Sequence, residues 1–147
     1  DQARMYLDRR LTWGEDAEFA INQVKEVITD AMGVAPEKIY MPDYNKRGYK
    51  NTDFGQELYF PTWIVEKDHE LVTSTQKAFS DLYGQDLEPG PCTYSTNAVS
   101  ICGRYHIPTV IIGPGDVEVC HKPNETTRIE DLVICSGLYA LLPFTLN

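Results

Sequence analysis

Polar and apolar positions alternate most clearly at the start of the chain. Over residues 3–11, Met5 and Leu7 alternate with Arg4, Tyr6 and Asp8, a period of two that predicts a half-buried strand. Thr12, Trp13 and Gly14 form a turn, after which Glu15, Asp16 and Glu18 supply the negative charge that favours a helix start. Phe19 (or Ala20), Val24, Val27, Ile28 and Met32 then recur at helical spacing, and Gly33 suits the helix stop. Residues 38–41 predict a second short strand. A strand, a helix and a strand in sequence, each with one polar face, fit half of a small α+β sandwich.

The periodicity disappears over residues 43–60, where aromatics and cations mix with turn residues. This stretch is expected to be a connecting segment, with a domain boundary near residues 59–62 that divides the chain into 1–59 and 60–147. Beyond it, Asp68 is expected to cap a helix whose face is Leu71, Thr75, Ala78, Phe79 and Leu82, ending at Gly84. Pro89, Gly90 and Pro91 make a loop, and Ser95 or Thr96 can cap a short helix through Val99 and Cys102. Residues 107–112 (Ile-Pro-Thr-Val-Ile-Ile) are a continuous apolar run, which predicts a strand buried on both faces as in α/β sheets. A Gly-rich turn follows at Gly113-Pro114-Gly115-Asp116. Residues 128–142 form a last helix, with Leu132, Val133, Cys135, Leu138 (or Tyr139) and Leu142 inward and Pro143 as its stop. The fold class is therefore α/β, preceded by a smaller α+β piece.

Composition narrows the chemistry. The chain has 147 residues, with 13 Lys+Arg against 22 Asp+Glu and a net charge of −9. That balance argues against nucleic acid or an anionic membrane as partner. Tyr44, Lys46, Arg47, Tyr49 and Lys50 would suit base stacking, but in so acidic a chain a solvated loop with anchoring aromatics is preferred. No apolar run reaches the ~18–20 residues of a membrane span. The four cysteines, Cys92, Cys102, Cys120 and Cys135, include no Cys-x-x-Cys pair, so they are read as reduced and mostly buried thiols of a cytoplasmic protein.

Ligands of open α/β sheets bind beyond the carboxyl ends of strands, which directs attention to the loop after residues 107–112. That loop brings His121 together with Asp116, Glu118, Glu125 and Cys120. One histidine does not make a metal centre, since a zinc site takes three or four protein ligands.

The strings Ser95-Thr96-Asn97, Gly103-Arg104-Tyr105-His106-Ile107-Pro108-Thr109, Gly113-Pro114-Gly115 and His121-Lys122-Pro123-Asn124-Glu125 resemble the C-terminal part of the zinc aminoacylase/carboxypeptidase family. That family includes acetylornithine deacetylase and succinyl-diaminopimelate desuccinylase, and the branch most similar is that of hydrolases linked to selenium metabolism. The opening string from Leu7 to Glu15 resembles the family's lid domain. The resemblance implies residues 1–59 as the C-terminal half of a lid (dimerisation) domain and 60–147 as the C-terminal segment of a catalytic α/β domain.

It further implies that His121 is a metal ligand. Ser95, Thr96 and Asn97 would contact the substrate's carboxylate, while Gly113 and Gly115 line the pocket. The metal would be zinc, two ions in the intact enzyme, with cobalt or manganese as alternatives. The reaction would be hydrolysis of an amide or peptide with a free carboxylate by metal-activated water. The remaining ligands and the general base are expected upstream of this chain, so the chain alone is expected to be inactive. A homodimer through the lid is also implied. Cys120 and Lys122 depart from the family string, which has small residues there. Arg9, Arg10 and Arg47 are candidate anion contacts, with a solvated face as the preferred reading. The competing class is a non-catalytic dimerisation or binding module without a metal site.

Overall fold

A computed structural model describes residues 3–146, which contain mixed helix and strand. They fall into two compact units: one runs to Ile64 and includes Gly103–Tyr105, and the other takes Val65–Cys102 and the chain from His106 onward.

In the first unit, helix α1 (Ala17–Met32) starts where the acidic run ends, because extended Asp16 accepts from the Phe19 N–H at 2.8 Å. Such a cap contributes about 1 kcal/mol. Gly33 closes the helix at φ 71, its N–H reaching the Thr29 carbonyl at 2.8 Å. Ala20 is the buried residue of this helix, whereas Phe19, Val27 and Met32 remain exposed.

The two strands expected on either side are not formed. Residues 3–11 and 38–41 form no backbone ladder with a neighbouring strand, and Met5 and Leu7 are exposed. Alternation selects which face a strand would bury, but a strand also needs a pairing edge, and among the described residues none runs alongside. The first segment is tied down by side chains instead: Arg9 donates to Glu15 at 2.8 and 2.9 Å and to Gln23 of α1.

The sheet lies where a connecting segment was expected. Strands β1 (Asp43–Arg47) and β2 (Asp53–Glu57) pair antiparallel, with Asp43 opposite Glu57 and Arg47 opposite Asp53. Gly48 N–H donates to the Thr52 carbonyl at 2.9 Å, and Asn51 takes a left-handed φ of 57 to complete the turn. A Cβ on Gly48 would lie 2.8 Å from the ring of exposed Phe54, so a larger residue there would push that ring aside. Every residue of both strands is exposed. With no buried face there is no alternation to read.

In the second unit, helix α2 (Glu70–Tyr83) is capped by His69, whose Nδ1 accepts from the Leu71 N–H at 3.1 Å, and not by the expected Asp68. Gly84 at φ 61 ends it. The buried residues are Val72, Thr75 and Ala78, with the Thr75 hydroxyl satisfied by the Leu71 carbonyl at 2.7 Å.

Helix α3 (Ile129–Leu141) buries Cys135 and Leu138, the latter only 2% exposed. Complete burial of one such leucine is worth ~1.5–3 kcal/mol. The expected inward residues Leu132 and Val133 are instead exposed. Tyr83 of α2 donates its hydroxyl to the Ile134 carbonyl of α3 at 2.9 Å, directly beside Gly137. Pro143 sits in a single 3-10 turn (Leu142–Phe144) continuing from α3, in a first-turn position that proline tolerates.

The expected central strand at 107–112 has no ladder. The segment is joined to α3 by the Tyr139 hydroxyl, which donates to the Ile112 carbonyl at 2.7 Å. A strand buried on both faces needs neighbours on both sides, and among the described residues the hairpin is the only sheet.

Candidate functional site

Two loops of the second unit carry the candidate residues. The first precedes a π-helical turn, Val99–Arg104. Thr96 caps this turn through its hydroxyl, which accepts from the Ala98 N–H at 3.1 Å, so of the two expected caps it is Thr96 and not Ser95 that acts. The Asn97 carbonyl accepts from the Ser100 and Ile101 N–H groups. Ala98 and Cys102 are buried beneath the turn, which fixes its backbone, while Ser95 and Asn97 are exposed and Thr96 is half-buried.

The second loop starts at Gly113. A Cβ on Gly113 or Gly115 would meet nothing within 4 Å, so neither glycine is demanded by a close approach. Asp116 then caps a short 3-10 turn, Val117–Val119, by accepting from the Glu118 N–H at 2.8 Å. His121 follows, exposed, with φ 61, and Asn124 has φ 64. Left-handed backbone is uncommon outside glycine, and Asn is among the residues that tolerate it best.

The two left-handed residues fold the loop back so that Glu125 Oε2 accepts from the His121 N–H at 3.1 Å. In the sequence, the signal for this contact is the Pro123-Asn124 pair, which favours a turn and so brings Glu125 back towards His121.

The Tyr94 hydroxyl is pushed above its ordinary value, first by the neighbouring Cys92 charge and then by burial, with a further contribution from Cys120. Tyr94 immediately precedes Ser95, and Cys120 immediately precedes His121. No hydrogen bond joins His121 to Thr96 or Asn97 among the described residues.

The four thiols are free: Cys102 and Cys135 are buried, Cys120 is half-buried and Cys92 is exposed. Burial, then Asp131, pushes the Cys135 thiol up. The three arginines considered as anion contacts all pair with carboxylates of this chain, Arg9 with Glu15, Arg10 with Asp8 and Arg47 with Asp53.

A zinc ion takes about four donors. Among the described residues, no three His, Cys, Asp or Glu side chains converge to hold a metal. The residues present therefore do not fit a complete metal centre, and His121 stands as a single exposed imidazole. No helix among the described residues is long and apolar enough to cross a membrane.

A helical unit with a histidine loop and a capped serine–threonine–asparagine turn defines a class only when the sequence around them is compared with known proteins. Residues 15–144 match the model of Peptidase family M20/M25/M40, and the chain belongs to that family. Two relatives carry the name uncharacterized protein YgeY, from Escherichia coli strain K12 and Escherichia coli O157:H7. Each is 37% identical over 145 residues, covering 99% of this chain and 36% of the relative. The acetylornithine deacetylase of Aliivibrio fischeri strain MJ11 is 35% identical over 66 residues, 44% of this chain and 15% of that enzyme. The chain thus spans about a third of the length of the curated relatives it matches most fully. No solved structure matches it.

Proposed function

We propose that this chain is part of a metal-dependent amidohydrolase, a deacylase or metallopeptidase of the cytoplasm, to which it contributes one metal-ligating imidazole and a carboxylate-binding turn. The observation that carries this reading is the family match over residues 15–144, which includes both candidate loops. His121 is the proposed ligand of a zinc ion, with cobalt or manganese as alternatives. An exposed imidazole next to a backbone pinned by Glu125 is free to present a ring nitrogen. Ser95, Thr96 and Asn97 are proposed to hold the substrate's free carboxylate by hydrogen bonds, with Gly113 and Gly115 lining the pocket. The substrate class is an N-acyl amino acid or a small peptide. Residues 1–59 are assigned to a lid that pairs two protomers, and 60–147 to the C-terminal segment of the catalytic domain.

One observation favours a second reading. Because no three candidate ligands converge among the described residues, the chain alone suits a non-catalytic dimerisation or binding module. A single preparation separates the two. The purified 147-residue chain, supplied with zinc, should cleave neither N-acyl amino acids nor dipeptides, and light scattering should report a dimer. Chelator-sensitive turnover by the chain alone would refute the proposed division of ligands, and a strict monomer at high concentration would refute the lid assignment. In an intact enzyme carrying this sequence, His121→Ala should lower metal content, whereas Thr96→Ala should raise KM with metal content unchanged. A His121→Ala enzyme with full metal content would leave the module reading in place.

A further inference from the structure

We infer that Arg104 is a specificity-determining residue that receives a carboxylate of the substrate and distinguishes the acid from its neutral amide. The naming of the carboxylate as the substrate's rests on the hydrolase reading above; the binding of an anion does not.

The first observation is the pairing of the arginines. Arg9, Arg10, Arg47 and Arg128 each form an ion pair with a carboxylate of this chain, namely Glu15, Asp8, Asp53 and Glu130. Arg104 pairs with none among the described residues, although 22 Asp+Glu stand against 13 Lys+Arg. Arg4 is also unpaired, but no side-chain hydrogen bond among the described residues holds it in place.

The second is how Arg104 is held. Its Nη2 donates to the Tyr59 carbonyl at 2.6 Å and reaches the Glu57 carbonyl at 3.5 Å. Carbonyls are neutral acceptors, so these bonds orient the guanidinium without cancelling its charge. The N–H groups on Nε and Nη1 have no protein acceptor among the described residues, and Arg104 is exposed. The backbone beside it is seated closely: a Cβ on Gly103 would lie 2.9 Å from the Pro61 carbonyl oxygen, a backbone atom that cannot swing aside. Residues 57–61 and 103–104 belong to one compact unit. A donor oriented before the ligand arrives loses less freedom on binding.

The third is the chemistry of the fork. A planar guanidinium matches carboxylate or phosphate and keeps its charge at any working pH. The Ser95-Thr96-Asn97 turn offers neutral donors, which serve a carboxylate and an amide oxygen alike. Discrimination between the two needs a cation.

A titration followed by nitrogen-15 NMR tests this on the 147-residue chain, without metal and at low salt. The Arg104 Nε–H resonance, identified by its loss in Arg104→Gln, should shift saturably with N-acetylglycine and stay still with N-acetylglycinamide. The Arg9 resonance, already paired with Glu15, should not move. Arg104→Lys keeps the charge without the fork and should bind N-acetylglycine at least ~5-fold more weakly. In an intact enzyme carrying this sequence, Arg104→Gln should raise KM for an N-acyl amino acid by at least ~10-fold, the loss falling on KM rather than kcat. If the variants fail to fold, the wild-type titration decides by itself.

An Arg104 resonance that ignores N-acetylglycine, or follows the amide equally, would overturn the inference and leave Arg104 as a strap between residues 59 and 104. Inorganic phosphate that shifts it at lower concentration than N-acetylglycine would overturn the carboxylate assignment. Hydrolysis with an unchanged KM in Arg104→Gln would overturn this inference alone. Binding at Arg104 in an intact protein without hydrolase activity would overturn the hydrolase reading and leave the anion site standing.

Discussion

Glu15 sits at the meeting point of Arg9 and the Thr12 N–H, with its side chain 17% exposed. The hydrogen bonds from Arg9 come first among the causes that hold its carboxyl at about 2, below the ordinary 4.5, followed by the bond from the Thr12 backbone. A carboxyl whose folded value is depressed stabilises the fold above its unfolded value and loses that contribution as pH falls through the folded one. The advantage in Tm of the native chain over Glu15→Gln should therefore be full above pH 4.5 and shrink as pH drops towards 2. A gap in Tm that is constant over that range would show that the pair does not act through its charge.

Glu125 plays a comparable part for His121, since its carboxylate is the acceptor for a backbone N–H held at φ 61. Hydrogen bonds to charged groups contribute ~1.5–3 kcal/mol, less where water competes. Glu125→Ala should accelerate exchange of the His121 amide by at least ~10-fold, an opening of about 1.4 kcal/mol, and Glu125→Gln should restore much of the protection. Equal His121 exchange in all three proteins would remove Glu125 from this role.

At the scale of elements, the α2–α3 crossing turns on Gly137. A Cβ there would lie 2.5 Å from the Tyr83 hydroxyl, which is already engaged with the Ile134 carbonyl at 2.9 Å. Gly137→Ala must displace that hydroxyl and lose its bond, a cost of ~0.5–1.5 kcal/mol, set against a helix-propensity gain of ~1 kcal/mol. Tyr83→Phe removes the obstacle, because the next ring atom is 3.7 Å away. Gly137→Ala should then be near neutral in the native background, within ~0.5 kcal/mol either way, and stabilising by about 1 kcal/mol in Tyr83→Phe. Urea unfolding of the four proteins measures the coupling, and additive effects would disprove it.

The same crossing shows what sequence reading can reach. The helices were legible because Asp16, Gly33 and Gly84 are local punctuation and the apolar spacing is regular. Which residues of α3 face inward was not legible, because apolar residues occupy most of its surface and Leu132 and Val133 look as buriable as Leu138. The hairpin was invisible for the opposite reason: strands that bury nothing carry no alternation. At the candidate site, Thr96 as a cap was legible from its residue type. The pinning of His121 was not, because it depends on two left-handed residues and a contact four positions away.

Over the whole chain, burial is uneven. The buried residues Val72, Thr75, Ala78, Ala98, Cys102, Cys135 and Leu138 all belong to the second unit, and Ala20 is the one in the first, among the described residues. Local opening costs little where few apolar contacts are made, and the α1 backbone bonds are shielded mainly by the helix itself. A helix of 16 residues is marginal when it lacks a packed face. Native-state exchange should therefore rank the interior amides of α2 and α3 slowest, with those of α1 and the hairpin faster by at least ~10-fold. The order should persist at low urea, where α1 opens before α2 and α3. Exchange of α1 amides as slow as those around Ala78 and Leu138, with the same urea dependence, would mean the chain unfolds as one cooperative body and would refute the separate stabilities argued for the two units.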